Sequence, residues 1–77
     1  MTSISPIPAK KMAAILRHLG FTLVRQRGSH AFYRHSDGRA TVLPMHSVVD
    51  LSKGTIRGIL KNVKLPVDEF ERLRNQV

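Results

Sequence analysis

The sequence contains no cysteine and no tryptophan, and the missing cysteine narrows its chemistry most. Without thiols it has no disulfide framework, no thiolate zinc site and no cysteine nucleophile. No run approaches the roughly 18 apolar residues of a membrane-spanning helix. We therefore expect a cytoplasmic protein, not a transmembrane one, whose chemistry depends on histidines, hydroxyls, a few carboxylates and basic groups.

Acidic residues are also scarce, because five Asp and Glu stand against thirteen Lys and Arg, for a formal net charge of +8 over 77 residues. Residues 10–64 alone carry a net charge of +9, with Asp37 and Asp50 as their only acids. Residues 65–77 are slightly acidic. A positive charge this concentrated favours a polyanionic partner, and we interpret it as a nucleic-acid-binding surface rather than an ordinary solvated face.

The few carboxylates are badly placed for a site that binds two metal ions, since Asp68, Glu69 and Glu71 all fall in the last segment. The four histidines include no His-x-x-x-His pair of the kind that holds zinc on a helix. We therefore expect neither a metal nor any other cofactor.

The length allows one small core, so we predict a single domain over residues 1–77. Two prolines mark an extended lead-in over residues 1–8. Apolar residues at helical spacing predict a helix over residues 9–19, closed by Gly20. Alternating segments joined by short turns predict an antiparallel meander of three strands, over residues 21–26, 30–35 and 40–43.

The remainder of the chain predicts a loop over residues 45–51 and two further helices. Ser52 is the expected N-cap of the first, which has a periodic apolar face. Pro66 begins a short C-terminal helix within residues 66–77. This order predicts an α+β sandwich with the helices on one face of the sheet and the other face open.

Residues 25–30, Arg-Gln-Arg-Gly-Ser-His, combine the parts that handle a phosphodiester. Arg25 and Arg27 can bind phosphate bidentately, Gly28 and Ser29 form a turn that allows close backbone approach, and His30 can exchange a proton near neutral pH. The same residue types also occur in a solvated hairpin. The residues alone leave both interpretations open.

Three other positions also have two interpretations. His46 either faces the Gly28 turn or is a solvated loop residue. Phe32 and Tyr33 either stack on bases or fill the core, and a bulge near Gly28 would exchange their faces.

The start of the predicted second helix has two interpretations as well. Lys53 and Thr55 offer a cation and free backbone N–H groups, either as an anion site or simply as a helix cap.

A set of short motifs runs through the chain: Leu19-Gly20-Phe21, residues 24–30, Tyr33-Arg34-His35, Asp37-Gly38-Arg39, Pro44, His46 and Gly54-Thr55-Ile56. Together these residues resemble the HicA family of toxins. It implies a double-stranded-RNA-binding-like fold, cleavage of mRNA that inhibits translation, neutralisation by a HicB-type antitoxin, and a catalytic role for His30. The sequence departs from the family at Lys64, where members commonly have a glycine, and this argues against a left-handed helix cap there.

We therefore expect a metal-independent endoribonuclease with His30 as its catalytic acid or base. The second proton-transfer group is His46, Tyr33, Lys53 or water. The alternatives are a non-catalytic RNA-binding module of the same fold and, less favoured, a DNA-binding partner in a repressor complex. The predicted RNA-binding residues are Arg25, Arg27, Gly28, Ser29, Lys53, Thr55 and Arg57.

The positive charge predicts that RNA binding weakens steeply with salt. Each phosphate contact on a single strand adds roughly 0.7 to the slope of log affinity against log salt concentration. Titrations of labelled RNA at several salt concentrations should give a slope that corresponds to several phosphates. A flat salt response would contradict the electrostatic interpretation.

Overall fold

The computed structural model describes residues 4–46 and 49–77. Its elements follow the predicted order: α1 (Ala9–His18), β1 (Thr22–Arg27), β2 (His30–Arg34), β3 (Ala40–Pro44), α2 (Lys53–Val63) and α3 (Val67–Gln76). The strands form one antiparallel sheet in the order β1-β2-β3. The predicted α+β class is thus confirmed, with element ends shifted by a residue or so. Parts of the predicted lead-in and loop, residues 1–3 and 47–48, lie outside the described residues.

One face of the sheet packs against the helices. Along β2, Ala31 and Tyr33 are buried, while Phe32 between them is only half-buried. Strand β3 repeats the pattern, with Leu43 buried and Val42 exposed. This alternation follows from the two-residue period of a strand, and it leaves the opposite face of the sheet open as predicted.

The lead-in contributes to the core. Ile4 and Ile7 are both almost completely buried. Ile7 also forms an isolated antiparallel bridge with Leu51, just before α2. The bridge therefore holds the lead-in against the segment that precedes α2.

Arg39 fastens the β2–β3 turn to the far end of α2. Its Nη1 donates a hydrogen bond of 2.6 Å to the carbonyl of Val63, at the C-terminal end of that helix. Its backbone N–H and its Nε donate to Asp37 at 3.0 and 2.8 Å. The backbone hydrogen bond, with help from the guanidinium, lowers the pKa of the Asp37 carboxyl.

Helix α2 ends in a left-handed cap, contrary to the expectation drawn from Lys64. The backbone of Lys64 has φ 57° and ψ 44°, and Leu65 N–H donates to the carbonyl of Leu60 at 2.9 Å. This is the hydrogen bond of a Schellman cap, which usually contains glycine. The side chain of Leu65 packs against the core. The cap therefore forms in spite of the cost of a left-handed lysine.

Lys64→Gly should stabilise the protein. Glycine removes the steric cost of the left-handed conformation, so we expect the free energy of unfolding to rise by about 1 kcal/mol. Urea denaturation followed by circular dichroism measures this change. Lys61→Gly is the matched control, because glycine within a helix costs about 1 kcal/mol. Destabilisation by Lys64→Gly would contradict the cap.

Candidate functional site

His30 is the first residue of β2 and lies directly after a two-residue turn. Its register partners are Arg27 on β1 and Pro44 on β3, and its side chain is exposed. Gly28 in the turn has φ 58°, and a Cβ there would meet no atom within 4 Å. The turn therefore needs glycine for its backbone conformation rather than for space. The Gln26 side chain donates to the Gly28 carbonyl at 3.1 Å and braces the turn.

A β-bulge at Val24 decides which side chains share a face with His30. The register passes from Leu23 opposite Tyr33 directly to Arg25 opposite Phe32. Strict alternation from Leu23 would point Arg25 and Arg27 toward the helices. The extra residue reverses this parity, so both arginines lie on the open face. A bulge near Gly28 would have exchanged the faces of Phe32 and Tyr33, but the bulge lies four residues earlier and leaves the alternation of β2 intact.

The open face is basic around one half-buried aromatic ring. The guanidinium of Arg25 lies 4.9 Å from the centre of the Phe32 ring, in cation–π geometry. Arg34, two residues along β2 from Phe32, belongs to the same face by register. The three strands contain no Asp or Glu at all. This face therefore offers cations that no strand carboxylate neutralises.

His46 lies close to the His30 turn. The backbone N–H of Met45 donates to the carbonyl of Ser29, which joins the end of β3 to the turn. Met45 and His46 also line a small cavity of about 150 Å³ together with Pro8, Ala9 and Lys10. The structure thus brings His46 and the first turn of α1 to the same end of the molecule as His30.

The N-terminal ends of α1 and α2 both lie at this end. The bridge between Ile7 and Leu51 immediately precedes their N-caps, Pro8 and Ser52. Neither helix has an acidic residue in its first turn. Because the N-terminus of a helix carries a partial positive charge, the two dipoles add to the positive potential near the His30 turn.

The predicted residues of α2 have different surroundings. Lys53 is exposed in the first turn. The Ser52 hydroxyl accepts from the Thr55 backbone N–H at 3.3 Å and lies 3.0 Å from the Thr55 hydroxyl, so Thr55 takes part in the helix cap. Arg57 is one turn further along and borders a groove with Lys61 and the start of α3. Lys53 and Arg57 have the i, i+4 spacing that places them on one side of α2.

Tyr33 is a predicted site residue that the fold separates from His30. It is 4% exposed and faces the helices, on the opposite side of the sheet from His30. Sequence reasoning in turn missed Lys10 and Arg34. The position of Lys10 in the first turn of a helix was the available signal, but it does not reveal that this turn lies beside His46.

Carboxylates pair with basic groups elsewhere. In the described ranges, every ion pair uses Asp37, Glu69 or Glu71. Among the same residues, no three His, Asp or Glu side chains are close enough to hold a metal ion. No helix in the described part of the chain has the length and apolar character needed to cross a membrane.

Comparison with known families now adds to this geometry. Residues 9–65 match the family described as the HicA toxin of bacterial toxin-antitoxin. The chain belongs to the HicA toxin family. A comparison with curated proteins found no match.

The HicA match covers every candidate site residue, from Arg25 to Arg57, and it identifies the protein as a toxin of a toxin-antitoxin system. It begins at the start of α1 and ends just after the left-handed cap of α2. The lead-in and α3 lie outside it. Both flank the HicA region in the structure, where the guanidinium of Arg74 on α3 donates to the carbonyls of Ser5 and Pro6.

Proposed function

We propose that this HicA toxin is a metal-independent endoribonuclease that cleaves mRNA and so inhibits translation in the cytoplasm. One observation carries the proposal. His30 is exposed at the end of a hairpin beside Arg27, at the end of the molecule where two helix N-termini also lie. An imidazole for proton transfer and a cationic cradle for the phosphate are thereby adjacent.

RNA supplies its own nucleophile in the proposed reaction. His30 accepts the proton of a ribose 2′-hydroxyl, and the 2′-oxygen then attacks the adjacent phosphorus. The bond from phosphorus to the 5′-oxygen breaks, which leaves a 2′,3′-cyclic phosphate and a 5′-hydroxyl. Arg25 and Arg27 stabilise the extra negative charge on the phosphorane.

The leaving 5′-oxygen needs a proton. His46 is the preferred donor, because the Met45–Ser29 hydrogen bond holds its loop against the turn that carries His30. Lys53 and water remain the other candidates. Tyr33 receives no role, since it is buried on the other face of the sheet.

We propose that a HicB-type antitoxin inhibits the toxin by covering this end of the open face. Acidic groups on the antitoxin would pair with Arg25, Arg27 and Lys53 and thereby exclude RNA. The described residues offer these cations no carboxylate partner of their own.

His30→Ala should abolish most cleavage without unfolding the protein. Loss of general acid–base catalysis should slow cleavage by about 10²- to 10⁴-fold, while RNA binding remains because the arginines are untouched. The measurement is a time course on labelled RNA in EDTA, with equal folded fractions established by circular dichroism. His18→Ala is the matched control, an exposed histidine at the C-terminal end of α1.

Retention of more than about a tenth of wild-type cleavage by folded His30→Ala would remove His30 from the catalytic role. His46→Ala would then be the next variant to test. If the wild-type protein binds RNA and leaves it intact, the protein is instead a non-catalytic RNA-binding module. Cleavage that EDTA abolishes would contradict the metal-independent mechanism.

A further inference from the structure

The open face of the sheet contains a groove of which the proposed cleavage reaction uses only Arg25. Its volume is about 520 Å³, and its lining includes Val24, Arg25, Phe32, Arg34 and Val42. Both valines are exposed, at 61% and 40%. The groove thus combines an aromatic ring, apolar walls and two guanidinium groups, and its lining also includes Tyr33, Thr41 and Asn62.

We propose that this groove binds one unpaired nucleobase of the RNA, next to the phosphate that is cleaved, and that Phe32 and Arg25 form its stacking platform. The inference rests on the proposed function and deepens it. It assigns the substrate as single-stranded RNA read at a base beside the scissile bond. RNA duplexes would not fit, because their bases are stacked and paired.

The shape and charge of the groove favour a base over a protein side chain. Stacking on an aromatic ring or on the plane of a guanidinium is how proteins hold unstacked bases. Arg25 already stacks over Phe32, at 4.9 Å from the ring centre. A base is attached to a phosphate backbone, and the strands supply three arginines and no carboxylate to bind it.

The spacing along β2 also fits a nucleotide. His30 and Phe32 are two residues apart on the same face, because Ala31 between them is buried against the helices. At roughly 3.3 Å per residue, their Cα atoms are separated by about 7 Å. An extended RNA strand with its phosphate at His30 can therefore place a neighbouring base over Phe32.

A cleavage assay with modified substrates tests the platform. Phe32→Leu keeps the apolar bulk but removes the π face, and should lower kcat/KM by roughly 5- to 100-fold, the loss expected for one stacked base. Replacing one of the two nucleotides that flank the scissile phosphate by an abasic ribose should cost a similar factor. The two changes together should cost no more than the larger one, because both remove the same contact.

Phe32→Tyr should retain near-wild-type cleavage, since it keeps the ring. Leu23→Ala is the matched control. Leu23 is 51% exposed on the same sheet, but it pairs with the core residue Tyr33 and therefore lies on the face opposite Phe32. Circular dichroism establishes that each variant is folded. Binding is measured by fluorescence anisotropy in the His30→Ala background, where Phe32→Leu should weaken affinity for a labelled single-stranded RNA by a comparable factor.

Wild-type kcat/KM in folded Phe32→Leu, or losses from the variant and the abasic site that simply multiply, would overturn the platform. It would equally be overturned if Phe32→Leu weakened binding of the antitoxin and left RNA binding unchanged, since the face would then be a protein-docking surface. These outcomes all presuppose a wild-type protein that cleaves RNA. A wild type that neither binds nor cleaves RNA refutes the proposed function itself, and the platform with it.

Discussion

The β-bulge at Val24 is the constraint on which the candidate site depends. One extra residue in β1 reverses the direction of every following side chain, so Arg25 and Arg27 face the same way as His30 and Phe32. Without it, the two guanidinium groups would lie on the opposite face of the sheet from His30.

Different contacts anchor helix α2 at the two ends of the molecule. At one end, Arg39 ties the β2–β3 turn to the last carbonyl of α2 and lies over the ring of Phe21. At the other end, the bridge between Ile7 and Leu51 holds the first turns of α1 and α2 together. Anchoring both ends orients α2, so its positive dipole end lies at the same edge of the sheet as His30.

Much of the fold could be predicted from the sequence, because amphipathic periodicity and turn residues are local signals. Ser52 is the N-cap of α2, as predicted. Gly28 lies in the predicted turn and adopts the positive φ that favours glycine. Periodicity cannot reveal a bulge in Thr22–Arg27, since that segment alternates plausibly in either register. For the same reason the sequence could not decide which face of the sheet Tyr33 occupies. In the structure it is buried against the helices.

Long-range contacts explain the remaining differences. Lys64 adopts the left-handed conformation because the packing of Leu65 outweighs a local preference for glycine. The proximity of His46 and Lys10 depends on the Met45–Ser29 hydrogen bond and on the placement of α1. Such contacts link residues that are distant in the chain, so no local sequence pattern predicts them.

The central claim is that His30 activates a hydroxyl of the RNA itself, and a substrate with one missing oxygen tests it most directly. An RNA oligonucleotide with a single 2′-deoxy nucleotide on the 5′ side of the scissile phosphate lacks the proposed nucleophile. The account predicts no cleavage at that bond, while the unmodified RNA yields a 2′,3′-cyclic phosphate and a 5′-hydroxyl. Cleavage of the modified bond at the unmodified rate would contradict it.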